Sequence, residues 1–199
     1  MKKSVKMFSL FMVLTFIFSA FCANVWAQNY SDLLTQSLTV PLGQLTYCID
    51  SSASGSATQI RAAMNAWSTA SGGRINFTSS SASSATIVFK KQSTFPSAIS
   101  TANGYVLYYS SGTSLNTPGG YPSQDWTKCE VYIKSGLTSA QTQRTACHEI
   151  GHCLGLDHPF NDGLTSSIMY VSGHAKASNT PTQEDIANLE EKYTEPWHW

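Results

Sequence analysis

The sequence predicts one α+β domain, and three observations support this fold class. The segment 129–134 alternates between apolar and polar side chains, which is typical of a half-buried strand. A helix follows at about 139–154, because Thr138 and Gln141 form a capping-box pattern ahead of a stretch without glycine or proline. The chain of 199 residues, 42% of them apolar, is long enough to bury one hydrophobic core.

The end of this predicted helix carries the pattern H-E-x-x-H-x-x-G-x-x-H, which runs from His148 to His158. His148 and His152 are four residues apart, so their imidazoles share one face of the helix. Gly155 tolerates a left-handed backbone, which allows the chain to leave the helix and bring His158 back as a third nitrogen ligand. Three protein ligands leave one zinc position open, as in catalytic rather than structural zinc sites. The pattern therefore predicts a catalytic Zn²⁺ site.

Glu149 lies beside the two helical histidines in the same pattern. A carboxylate at this position can take a proton from a zinc-bound water and return it to the leaving amine. We therefore predict that Glu149 is a general base and acid in hydrolysis. The other histidines, His174 and His198, are expected at the surface.

The long histidine pattern resembles that of the metzincins, whose sequences continue to a methionine turn. Met169 follows in an apolar triplet at the place of that turn, so the resemblance implies that it underlies the zinc without binding it. Val171 stands where astacins and serralysins carry a zinc-binding tyrosine, and this favours the matrixin branch. Pro159 is a departure, because matrixins usually have Ser or Thr there.

Resemblance to matrixins covers most of residues 44–194 and implies a twisted mixed sheet of about five strands, three helices and a zinc cleft. Trp67, on the first helix, is expected in the core. The implied elements are strands at 45–49, 74–77, 85–89 and 104–109, a first helix after residue 57, and a closing helix at 181–189 capped by Thr180 or Thr182.

The same resemblance implies how a substrate is recognised. An extended peptide is expected to add to the edge strand near residues 104–110, where main-chain pairing gives affinity without demanding a sequence. Arg144, four residues before the first zinc histidine, is at the position that forms the floor of the pocket for the side chain after the scissile bond. A long cationic side chain there predicts a shallow pocket for residues such as Leu or Met; the alternative is a solvated Arg144 on the helix flank.

The N-terminus has the features of a secretory signal. Lysines at positions 2, 3 and 6 precede an apolar run, and Ala27 ends the best cleavage site, so residues 1–27 are predicted to be a signal peptide. Cys22 follows the bulky Phe21 and fits a lipobox poorly, so we expect secretion without a lipid anchor.

Loss of residues 1–27 removes three lysines, and the 12 basic and 12 acidic side chains become 9 and 12, a net charge of −3. This charge argues against nucleic acid or an anionic membrane as a partner. We expect a monomer whose partners are protein or peptide substrates. The sequence is compatible with bound Ca²⁺ as well, but no calcium ligand set is recognisable in it.

Residues 28–43 are interpreted as a short propeptide-like segment before a catalytic domain at 44–199. Matrixins commonly stay latent through a propeptide cysteine, and this segment has none. Asp32 is its sole charged side chain at neutral pH, and a carboxylate is a competent zinc ligand. We therefore predict Asp32 as a latency ligand, released by cleavage within 33–44; the alternative is a disordered tail with a solvated aspartate.

Four cysteines follow the predicted signal peptide, and an even number in an exported chain indicates two disulfides. Cys147 and Cys153 are six residues apart on one helix, about 9 Å along its axis, which is too far for them to pair with each other. Two pairings remain: Cys48 with Cys147 and Cys129 with Cys153, or Cys48 with Cys153 and Cys129 with Cys147. The alternative is four free thiols.

Together these features predict a secreted zinc metalloendopeptidase, a zymogen that hydrolyses internal peptide bonds of extracellular proteins. One competing interpretation is a non-catalytic, zinc-stabilised binding module, but a binder has no need of Glu149. Another is a hydrolase of cell-wall peptides, which would favour a wall-binding appendage that is not recognised in the sequence.

Overall fold

The structure is a computed structural model that describes residues 32–159, 166–171 and 173–194. The predicted signal peptide with Cys22, the first residues of the propeptide-like segment and His198 lie outside the described residues. Within them, no helix is both long enough and apolar enough to cross a lipid bilayer.

Among the described residues, one mixed sheet of six strands organises the domain, in the order β2-β1-β3-β6-β4-β5. Neighbouring strands from β2 to β6 are parallel, whereas β4 runs antiparallel to β6 and pairs at one end with β5. The strands are β1 (Leu45–Ile49), β2 (Phe77–Ser79), β3 (Ile87–Gln92), β4 (Gly104–Ser110), β5 (Thr113–Ser114) and β6 (Lys128–Lys134). The α+β prediction is confirmed, and the two-residue β5 accounts for the extra strand.

In the part of the chain that the structure describes, three α-helices accompany the sheet: α1 (Ala57–Ala70), α2 (Ser139–Cys153) and α3 (Gln183–Lys192). The predicted capping box of α2 is present, since Thr138 and Gln141 each bond the other's backbone N–H. Thr182, one of the two predicted caps, begins α3 with a similar capping box. In α1 the apolar side chains at helical spacing, including Trp67, are buried, as the sequence predicts.

Two strands begin later than the sequence predicts. Ile75 belongs to a turn after α1, because its N–H donates to the Ser71 hydroxyl instead of a neighbouring strand. Thr86 likewise donates its N–H to the Thr46 side chain at 3.0 Å. Local side-chain bonds of this kind compete with ladder pairing, so β2 and β3 begin only beyond them.

Residues 32–44 are part of the packed domain rather than an extension from it. Leu34, Leu38 and Leu42 are buried in the same core cluster as the sheet and helices. Main-chain bridges join Leu33 to Leu156 and Leu38 to Trp126. The interpreted boundary at residue 44 therefore does not coincide with a break in packing.

Neither predicted disulfide pairing is formed, and all four cysteines are free thiols. Cys48 lies in register with Val88, on the sheet face opposite the one on which Ile87 and Phe89 join the core. Side chains alternate between the faces of a strand, so Cys48 points away from the helix cysteines with which both pairings required it to bond. Cys129, Cys147 and Cys153 lie on the core side and are fully buried.

Candidate active site

Helix α2 places three functional side chains at the base of a cleft. His148 and Glu149 are buried and His152 is half-buried, although all three are polar. The helix lies against α1 and against the core face of β4 and β6. A helix in this position is a rigid platform for the groups that it carries.

Backbone carbonyls fix the orientation of both helical histidines. His148 Nδ1 lies 2.8 Å from the carbonyl oxygen of Ile168, and His152 Nδ1 lies 2.9 Å from that of Leu156. A carbonyl can only accept a hydrogen bond, so each Nδ1 carries the proton and each Nε2 presents a lone pair. This arrangement is the usual outer-shell support of a metal-binding histidine.

The third histidine returns to the other two as the sequence predicts. Gly155 has a φ of 98°, a left-handed value that a side chain would strain. The chain then turns, and the backbone N–H of His158 donates to the Asp157 carboxylate at 2.7 Å. His158 Nε2 lies 3.1 Å from His148 Nε2.

The three imidazoles fit a single metal ion. Their ligand nitrogens all lie within 4.8 Å of one another. Burial lowers the pKa of His148 to about 3, and it also lowers the pKa of His152 and of His158. The rings are therefore neutral around pH 7, which is the form that binds metal.

Glu149 is buried beside this cluster, and burial raises its pKa to about 8. Gly104 of β4 lies directly against it, since a methyl group there would come within 2.6 Å of Glu149 Oε1 and 2.7 Å of the Thr145 methyl. The absence of a side chain at Gly104 thus brings the backbone of the edge strand next to the carboxylate. A cation at the histidines would favour the ionised form of Glu149.

Met169, at the place where the methionine turn of the metzincins is expected, packs against α2, the helix that carries two of the histidines. It is only 2% exposed, and its sulfur packs against Gly151 of α2. The same turn supplies the Ile168 carbonyl that orients His148. Met169 therefore packs on α2 and belongs to the loop that orients His148.

A buried carboxylate on α3 holds this turn. Asp185 accepts the Ser167 hydroxyl at 2.5 Å and the Ile168 N–H at 3.1 Å, and it also bonds Thr182. Burial raises the pKa of Asp185, and these hydrogen bonds oppose that rise. The carboxylate therefore acts on His148 indirectly, through the position of the Ile168 carbonyl.

The cleft above the histidines has a volume of about 690 Å³ and is walled by β4, α2, Leu34 and the loop segments 99–103 and 119–121. Arg144 lines it and is half-buried, and its Nη2 donates to the Tyr170 carbonyl at 2.7 Å. Arg144 is thus tied to the backbone after Met169 rather than solvated on the helix flank. Tyr121 lines the opposite wall, close enough to Asp157 for the charge of that carboxylate to raise the pKa of its hydroxyl.

Two further predicted residues have defined places. Asp32 is buried, and its carbonyl accepts the N–H of Asp157, one residue before His158. It is not among the described residues that line the cleft. His174 is half-buried and stacks on Tyr170 with ring centroids 4.1 Å apart, so it is less exposed than the sequence suggested.

Comparison with protein families identifies the chain. The family model of the matrixins, peptidase family M10, matches residues 41–194, which is most of the sequence. The chain is a matrixin. Matrixins are zinc metallopeptidases, and the histidine cluster of this one has the donors that such a metal needs. The resemblance read from the motif is thereby confirmed, whereas a search of curated proteins gives no match.

Sequence reasoning missed three residues of this matrixin site. The sequence indicates Asp185 only as part of a helix-start pattern. Thr-x-x-Asp also begins helices far from any functional site, so the pattern did not point to the metal cluster. Gly104 gave no signal, because a side chain there would collide with Glu149, which is distant in sequence. Asn116, which bonds the edge strand, lies in a polar loop without a motif.

We expect Asp185→Asn to weaken zinc binding roughly tenfold or more, the usual scale for loss of an outer-shell partner. An amide cannot accept from Ser167, Ile168 and Thr182 together, so the Ile168 carbonyl shifts from His148. Competition with a chromophoric chelator measures the affinity. Glu190→Gln, on the exposed side of α3, is the matched control. Equal affinities for the two variants would show that Asp185 does not position the ligand.

Proposed function

We propose that this matrixin is a secreted zinc metalloendopeptidase that hydrolyses internal peptide bonds of extracellular proteins. The observation that carries the proposal is the position of Glu149, buried on α2 between the histidine cluster and the backbone of β4. A binding module has no need of an ionisable group there.

Zinc is the metal that His148, His152 and His158 would hold, because three neutral imidazoles suit it and the family uses it. When bound, zinc supplies Lewis-acid polarisation of a carbonyl and lowers the pKa of water. Outer-shell carbonyls at His148 and His152 hold the rings ready for it.

Glu149 performs the proton transfers in this proposal. Its carboxylate takes a proton from the attacking water and then delivers that proton to the nitrogen of the leaving amine. A group whose pKa is near the working pH can both accept and release a proton. Burial raises the pKa of Glu149 and a nearby cation would lower it, so the two effects together keep this pKa near neutral pH. Gly104 brings the main chain of an extended substrate within reach of the carboxylate.

We expect Glu149→Ala to keep zinc and the fold but to lower kcat by at least ~10²-fold, because the general base is lost. His152→Ala should instead lose the metal, measured as the zinc-to-protein ratio by elemental analysis. His174→Ala, a histidine outside the cluster, is the matched control and should keep both zinc and turnover of casein. Unchanged turnover by Glu149→Ala would refute the mechanism.

Arg144 is proposed to set the specificity of the pocket after the scissile bond. Held by the Tyr170 carbonyl, it fills space at the cleft floor, so Leu and Met are favoured over large aromatic residues. Arg144→Ala should admit Phe and Trp in a peptide-library cleavage profile. Arg61→Ala, an exposed arginine on α1, should leave the profile unchanged. An identical profile for Arg144→Ala would assign the residue a structural role only.

Asp32 is proposed as a latency ligand, on the ground that its backbone adjoins Asp157 next to His158. Release by cleavage near residue 44 has a structural cost, since it removes Leu34, Leu38 and Leu42 from the core. The clean test is therefore a substitution in the protein beginning at Gln28.

In that protein, Asp32→Ala should raise the initial rate several-fold, because a carboxylate no longer competes for the metal. Asp50→Ala, a half-buried aspartate after β1 that does not line the cleft, is the control and should not change the rate. Thermal unfolding of a protein beginning at Gln44 measures the cost of truncation. Equal rates for the Gln28 protein with and without Asp32→Ala would show that no such switch exists.

A further inference from the structure

We infer that Asn116 closes one end of the substrate-binding edge of β4, so that a bound peptide pairs its main chain only with the stretch from Gly104 to Val106. The inference rests on the proposed function, which it deepens by setting the length of substrate that the cleft recognises. It makes Asn116 a specificity-determining residue.

The register of β4 shows which backbone groups face its outer edge. Lys134 donates its N–H to the Asn103 carbonyl, so Asn103 and, by alternation, Tyr105, Leu107 and Tyr109 bond towards β6. Gly104, Val106 and Tyr108 therefore direct their N–H and C=O groups away from β6. These six groups are the ones that an added strand would use.

Asn116 occupies two of these groups with its side-chain amide. Its Oδ1 accepts the Tyr108 N–H at 2.9 Å, and its Nδ2 donates to the Val106 carbonyl at 3.0 Å. The Leu115 N–H takes a third, the Tyr108 carbonyl, at 2.8 Å. One side-chain amide thus imitates the peptide group of a neighbouring strand at the position where a substrate would otherwise continue.

The same amide also fixes the loop that walls this end of the cleft. Asn116 Nδ2 donates to the Gly120 carbonyl at 2.8 Å, and Gly120 and Tyr121 line the cleft. Tyr121, Asp157 and the third histidine all line the same cleft. The loop is therefore held to the edge strand through Asn116 and faces the metal side of the cleft.

Three edge groups are left for a substrate. Within the residues that the structure describes, no hydrogen bond engages the N–H or C=O of Gly104 or the N–H of Val106 on this side. Gly104 is the residue against Glu149, so the scissile bond lies close to this short stretch. Main-chain pairing with β4 therefore ends after about one residue pair on the side of Asn116, whereas a peptide that extends the other way passes the loop segment 99–103, which lines the cleft.

Nested peptides test this limit. One series is lengthened one residue at a time before the scissile bond and another after it, and kcat and KM are measured for each. For the wild type, kcat/KM should stop rising after one or two added residues on one side only. For Asn116→Ala, kcat/KM should continue to rise on that side. The added residues should lower KM roughly threefold to tenfold, which is the scale of one or two main-chain hydrogen bonds, and should leave kcat little changed.

A second variant and a chemical probe exclude a merely structural effect. Asn116→Asp keeps the acceptor for Tyr108 but loses the donor to Val106, so it should gain less than Asn116→Ala. N-methylation of the added peptide amide should abolish the gain in Asn116→Ala and leave the wild type unaffected. Asn76→Ala, which removes a comparable side-chain bond to a turn carbonyl far from the cleft, is the matched control.

Binding to Glu149→Gln separates this inference from the proposed hydrolysis. Fluorescence anisotropy with the same labelled peptides should give the same length limit, and its release by Asn116→Ala, without turnover. If the peptides bind with this limit but the wild type cleaves none of them, the proposed function fails and the inference stands. Equal gains on both sides in the wild type, or identical length profiles for wild type and Asn116→Ala, would overturn the inference.

Discussion

The rest of the structure depends on the burial of the C-terminal end of α2. A helix leaves its last carbonyl groups without intrahelical partners, and when that end is buried the fold must supply them. Trp126 Nε1 donates to the Cys153 carbonyl at 3.2 Å, and the Tyr193 hydroxyl donates to that of Leu154 at 3.0 Å. The next carbonyl, that of Gly155, accepts the Leu34 N–H. The satisfaction of one helix end thus draws in the loop before β6, the end of α3 and the N-terminal segment.

This constraint explains why the metal cluster is well oriented. Two of its three histidines belong to a helix whose backbone is held on several sides, including by Trp67 Nε1 on the Cys147 carbonyl. The methionine turn then approaches the same helix and is held by Asp185 and by Arg144. The histidine rings consequently have little freedom to leave the cluster. Metal binding would therefore cost little side-chain conformational entropy.

The N-terminal segment has a different role from the one that a propeptide usually plays. Its leucines fill the core, and the Lys192 ammonium donates to the Leu34 carbonyl at 2.6 Å. Tyr193 connects the segment to α2, since its hydroxyl also accepts the Leu38 N–H. Any control of activity by residues 32–43 therefore involves a segment that also stabilises the domain.

The sequence by itself determined the features that arise from local spacing. The histidine pattern, the capping box of α2 and the apolar stripe of α1 are each set by residues within a few turns of one another, so helix periodicity was enough to predict them. Family resemblance added the edge strand close to its observed bounds and the closing helix, predicted at 181–189 and observed at Gln183–Lys192. It also added the methionine turn, which has no periodic signal of its own.

Only the tertiary structure decided which distant groups meet. Cys48 faces away from the helices because of the alternation of β1 and its register with β3, and spacing in the sequence carries no information on register. Asp185 reaches His148 through a carbonyl on another loop, and Gly104 makes room for Glu149 across the cleft. The Asn116 side chain bonds β4, a strand that precedes its own loop in the chain. Such contacts follow from how separate elements pack and satisfy buried polar groups, and these are properties of the whole fold rather than of any one segment.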